Sequence, residues 1–127
     1  MTLLAGTMGA WAVALVLSTG PAKPERAAEL KQQAEKLATE ARALANASGC
    51  AKVEGCEVAG FGHKACGGPR EYIAYCAKTT DVKALQGKLA ELEKAEKTWQ
   101  AETGEMSNCA LTRRPPPRLV DGMCRTR

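Results

Sequence analysis

The sequence predicts a mainly α fold, with at most a little β structure: an antiparallel helical hairpin plus a compact disulfide-rich segment. Three observations predict it. Two stretches carry apolar residues at alternating spacings of three and four, the period of one helix face. Six cysteines, an even number, fall outside the apolar N-terminus. Large apolar side chains are sparse, nineteen in residues 23–127, so a core built from them alone is marginal and cross-links have to make up the difference.

Residues 1–22 contain no charged side chain, and "LLAGTMGAWAVALVL" within them is apolar. This reads as a signal peptide or a membrane anchor, with membrane contact through residues 3–17. Gly20 and Ala22 are small enough for a cleavage site before Lys23, the first charge of the chain. No cysteine lies near that point, so a lipid-modified N-terminus is not indicated. Residues 23–127 then form a single disulfide-stabilised domain.

The first helix is expected over residues 25–47. Pro24 suits a first turn and Glu25 the positive end of the helix dipole. Ala27, Leu30, Ala34, Leu37, Ala41 and Leu44 make a narrow stripe, and Asn46, Ser48 and Gly49 break it. A second helix is expected over residues 81–103, with Thr80 or Asp81 as cap and Gly104 as stop. Its stripe is Val82, Leu85, Leu89, Leu92 and Trp99, with Glu96 at the remaining stripe position. Alanines on the first stripe allow close approach of the leucines on the second. The alternative use of the first helix is a stalk that pairs in trans with another copy.

The cysteine-rich segment, residues 50–76, is interrupted by five glycines, so regular structure in it has to be short. "CEVAGFG", with Val58 flanked by small residues, is open to forming a short strand. "REYIAYCAKT" is open between strand and a turn of helix, with Tyr72 and Tyr75 at i, i+3 favouring helix. Tyr72, Ile73 and Tyr75 are expected to pack on the helix pair, the alternative being a recognition patch made of Gly67, Gly68, Pro69, Arg70, Tyr72 and Tyr75. The tail, residues 109–127, holds three consecutive prolines and is expected to be extended.

Chemistry is narrowed mostly by exclusion. The gaps between Cys50, Cys56, Cys66, Cys76, Cys109 and Cys124 are five, nine, nine, 32 and 14 residues. None is the tight pair of a structural zinc site, so His63 among them does not point to metal. All six are disulfide candidates, and fifteen pairings are open. A lone histidine beside cysteines that can all pair gives no thiol nucleophile. The expectation is therefore no enzyme, no catalytic residue and no cofactor. Residues 1–108 carry 13 basic and 13 acidic side chains, while residues 109–127 carry five arginines against Asp121. A neutral body with a short basic tail does not fit nucleic-acid binding.

Two resemblances follow from the cysteine-rich segment. "CGGPREYIAYC" resembles the Kazal inhibitor pattern, in which Cys-Gly leads to Tyr and then Cys. This implies a protease or hydrolase inhibitor presenting the Cys66–Cys76 loop. Over residues 49–124 the chain is also similar to a group of small exported bacterial proteins, through Cys56, Gly62, Cys66, Gly67, Gly68, Pro69, Tyr72, Tyr75, Ser107 and Cys109. That resemblance implies export to the periplasm or exterior and a cystine framework, and no reaction. The expected function is a non-enzymatic binding or structural component of the envelope or exterior, with an unidentified protein or envelope component as partner.

Overall fold

The computed structural model describes residues 24–106, 109–110 and 113–127. The expected signal peptide or anchor and its membrane contact lie outside the described residues. Among the described residues no helix is long and apolar enough to cross a membrane.

Helix α1, Pro24–Leu44, starts on its proline and is followed by Glu25 in the first turn. It ends before residue 47 because Asn46 turns the chain: its side-chain oxygen accepts from the amide (3.0 Å) and hydroxyl (2.8 Å) of Ser48. Helix α2, Val82–Thr103, is capped by Asp81, whose carboxylate accepts from the Ala84 amide at 3.1 Å, and stops at Gly104 in the left-handed conformation. The helices lie antiparallel, as the ion pairs Arg26–Glu102 (2.6 Å) and Glu40–Lys88 (2.9 Å) show. Ala34 and Ala41 of α1 and Leu85 and Leu92 of α2 are buried.

The mainly α expectation is overturned by what lies between and after the helices. Strands β1, Cys56–Phe61, and β2, Glu71–Cys76, pair antiparallel from Cys56↔Cys76 to Phe61↔Glu71. Strands β3, Arg118–Val120, and β4, Met123–Arg125, form a second antiparallel pair. The chain is mixed α/β, and its helices are joined through a β-hairpin rather than directly. Residues 71–76 are a strand because period two serves two cores at once, which a helix turn could not do. Tyr75, Ile73, Phe61 and Ala59 turn to the helices and join the cluster around Ala41, Leu85 and Leu92. Cys56, Cys76 and Ala74 turn the other way, to Cys50, Cys124 and Leu119. Tyr72 and Tyr75, three apart on a strand, therefore point to opposite faces.

All six cysteines are paired: Cys50–Cys76, Cys56–Cys124 and Cys66–Cys109. Cys56–Cys124 fastens β4 to β1. The β3–β4 turn, Asp121-Gly122, has positive φ at both residues (52° and 76°), the primed turn that matches strand twist. Residues 46–48 bridge the two strand pairs, with Asn46 O accepting from the Cys76 amide (2.7 Å) and Ala47 O from the Cys124 amide (2.8 Å).

Replacing Cys56 and Cys124 together by alanine releases a loop closed across 68 residues. The expected loss is about 4 kcal/mol of unfolding free energy by chain entropy. Denaturant unfolding of the oxidised double variant against wild type checks it, and a loss below about 1 kcal/mol contradicts the anchoring role given to this cystine.

Candidate functional site

A groove of about 1020 Å³ runs along the outer edge of β1. Its floor is residues 56–60. One wall is α2, through Gln86, Leu89, Ala90 and Glu93. The other is the tail, through Arg114 and the three prolines 115–117, with Pro69 and Tyr72 nearby. In an antiparallel pair alternate residues turn their backbone groups away from the partner strand. Val58 is one of these, since its carbonyl oxygen accepts from the Arg114 guanidinium. Cys56 and Gly60 turn the same way by the same alternation. The groove thus presents a strand edge whose carbonyl is satisfied by a side chain instead of a neighbouring strand. Gly60 allows the closeness of Pro69: a Cβ on it would lie 3.1 Å from Pro69 Cβ.

At the far end of β1 a buried carboxylate organises the connection to β2. Glu96, 8% exposed, sits on the α2 stripe. It accepts from Arg70 Nε at 2.7 Å and from the His63 amide. Gln100, one turn on, donates to His63 O at 2.7 Å, and its oxygen lies 2.8 Å from His63 Nδ1, where it can only accept. Arg70 and Arg42 both lie over the Phe61 ring, at 5.0 and 4.2 Å from its centre, and both pair with Glu71. Gly62, at φ 73°, makes room for this: a Cβ there would meet Arg70 Nε and Glu96 Oε2 at 2.5 Å. His63 is thereby a loop anchor.

The sequence-expected recognition residues are divided by the fold. Cys66 and Cys76 are each bridged elsewhere, so no cystine closes residues 66–76 into one loop. Gly67, Gly68 and Arg70 are exposed, Pro69 and Tyr72 half-buried, and Tyr75 buried. Gly68, Pro69, Tyr72 and Tyr75 border the groove. Residues 62–70 form a connection held by Cys66–Cys109 and by Lys64 N donating to Gly68 O at 2.9 Å. The sulfurs of Cys50, Cys56 and Cys124 lie within 4.8 Å of one another, because two cystines pack side by side; as disulfides they offer a metal no thiolate.

Sequence reasoning missed the groove, whose walls come from three separated segments. For the Glu96 cluster there was a signal: a carboxylate standing in an apolar helix stripe. Tyr75 is buried and donates its hydroxyl to Glu57 at 2.6 Å. Burial first, then this hydrogen bond and the charge of Glu57, push its pKa up from the ordinary 10 to about 12.

Compared with known protein families, characterised proteins and solved structures, the chain matches no family model, no characterised protein and no solved structure.

Two outcomes test this local picture. Gly62→Ala has to strain the backbone and displace the Arg70–Glu96 pair, so it is expected to cost about 2 kcal/mol, read from the denaturant midpoint at unchanged slope. A phenol whose folded pKa is raised holds its proton longer folded than unfolded. Tyr75 thus contributes stability that is complete below pH 10 and is lost as pH rises towards about 12. Stability curves of wild type and Tyr75→Phe are expected to converge across that window, and parallel curves would refute the assignment.

Proposed function

We propose that this chain is a non-enzymatic binding module of an oxidising, exported space, and that it takes an extended peptide along the free edge of β1. The observation that carries the reading is the strand edge lying open along a walled groove, with Val58 O turned into it. A strand edge pairs with any extended backbone, and pockets beside it sort alternate side chains. Here the pockets are lined by Tyr72, Leu89 and proline rings, with Glu57 and Glu93 at the border. That lining suits a segment with apolar and basic side chains. Arg114 stands where the incoming backbone would donate, and swings out as the peptide pairs.

Export is supported by three disulfides, which persist in oxidising compartments, by the uncharged residues 1–22 and by the resemblance to small exported bacterial proteins. A binding role is supported over catalysis by the side chains themselves. Every cysteine is oxidised, and His63 is held by Gln100. The inhibitor reading has less to draw on, because residues 71–76 belong to a strand and only the connection before it is exposed. The stalk reading loses its surface, since the apolar stripe of α1 faces α2 in the same chain.

The experiment is selection from a displayed library of random peptides on the oxidised full chain, followed by titration of the selected peptide. Ala90 is exposed on α2 and lines the groove, so Ala90→Trp fills the space without entering the core. It is expected to weaken the peptide about tenfold or more while leaving unfolding unchanged. Selected peptides that bind the Trp variant equally well place the site elsewhere and refute the reading.

A further inference from the structure

A second, smaller pocket of about 380 Å³ lies on the other side of the strand pair, between the end of α1, β2 and β4. It is lined by Arg42, Arg125, Thr126 and Arg127, with Ile73 and Ala74 as its apolar part. We propose that this pocket binds a phosphate monoester group, held by the guanidiniums of Arg125 and Arg127 with Arg42 behind them. The inference is independent of the β1 groove.

Four observations converge on it. First, the net charge of the whole chain resides in residues 109–127, five arginines against Asp121, over a neutral remainder. Second, the fold brings two of those five arginines, Arg125 and Arg127, together at this pocket beside Arg42. Arg125 is the last residue of β4, and Arg127 follows two residues on. Third, among the described residues no carboxylate pairs with Arg118, Arg125 or Arg127. Fourth, Arg42 is already oriented: it donates to Glu71 and stacks 4.2 Å from the centre of the Phe61 ring. Glu71 is shared with Arg70, at 3.1 Å, and Glu96 pairs with Arg70 at 2.7 Å. Of the arginine side chains lining the pocket, Arg42 is paired with Glu71, while those of Arg125 and Arg127 have no carboxylate side-chain partner among the described residues.

Forked guanidinium donors match the tetrahedral oxygens of phosphate, which accept two parallel bonds from one arginine. The volume falls within the range of small-molecule sites and exceeds what a bare ion needs. Ile73 and Ala74 offer contact to a short organic group attached to the phosphate. Such a monoester can be a lipid headgroup at a membrane surface or a soluble phosphorylated compound; the chemistry at the arginines is the same.

The test uses the full oxidised chain and two probes at constant ionic strength. One is glycerol 1-phosphate, titrated while backbone amide resonances are followed. The other is sedimentation with phosphatidylcholine vesicles with and without phosphatidic acid. Arg125→Ala/Arg127→Ala is the variant, its fold verified by three intact cystines and an unchanged unfolding midpoint. Saturable binding of at least one probe is expected, with amide shifts at residues 125–127, weakened at least about tenfold in the variant. A response to the acidic vesicles alone assigns the monoester to a lipid; a response to glycerol 1-phosphate assigns it to a soluble compound as well. No saturable response to either probe overturns the proposal. So does binding that the double variant leaves unchanged, or shifts that sodium chloride reproduces at equal ionic strength.

Discussion

The rest of the structure depends on the pairing of Cys56 and Cys76 with partners other than each other. They stand directly opposite on β1 and β2, yet one reaches Cys124 in the tail and the other Cys50 after α1. A cystine joining the two strands would only have closed a hairpin that its ladder already closes. As it is, each strand is tied to a distant segment, and the two cystines pack into one buried cluster with Ala47, Ala74 and Leu119. With few large side chains, this cluster serves as the second core. The helix-facing side of the same strands supplies Phe61, Ile73 and Tyr75 to the first. A two-stranded sheet, marginal by itself in water, is thus covered on both faces.

Covering the faces leaves the edges, and these are treated differently. Near Cys76 the outer edge of β2 is met by residues 46–48, which also hold β4. Among the described residues, the outer edge of β1 meets no strand. Its neighbours are a helix wall and a polyproline wall, and the Val58 carbonyl is met by the long side chain of Arg114. Proline cannot donate a backbone hydrogen bond, so residues 115–117 can stand beside that edge without pairing to it. A wall of prolines keeps a strand edge accessible where an ordinary segment would zip onto it. The charged end of β1 explains the groove's limit: Gly62 turns the chain at a positive φ, and Glu96 gathers Arg70 and the His63 amide into the wall of α2.

Much of this was legible in the sequence, for identifiable reasons. Both helices announce themselves because a narrow stripe repeats over five or six turns and the caps Asp81 and Gly104 are of the usual residue types. A short strand within "CEVAGFG" was suggested by Val58 flanked by small residues. Residues 71–76 were not, because two tyrosines three apart satisfy a helix face and a two-sided strand equally well; only the positions of both cores decide between them. The second strand pair was missed although Asp121-Gly122 between "RLV" and "MCR" carries the chemistry of a two-residue hairpin. The prolines just before it drew the reading towards an extended tail. Which cysteines pair was closed to sequence reasoning, since it depends on long-range placement. The same holds for the groove and for the arginine pocket, each assembled from three segments with no local pattern of its own.

The two candidate surfaces follow from one geometrical fact. A β-hairpin whose two faces are buried can meet solvent only at its edges and ends, so whatever it recognises has to approach there. At the β1 edge the available chemistry is backbone polarity between apolar walls, which favours another extended backbone. At the β2–β4 junction the backbone is already engaged by residues 46–48, and side chains have to supply the recognition; those present are arginines. The proposed peptide at one edge and the proposed phosphate at the other therefore need no separate sites to have been added to the fold. An edge and an end are what a doubly covered hairpin leaves open to its surroundings, and the cystines that cover it determine where each opening lies.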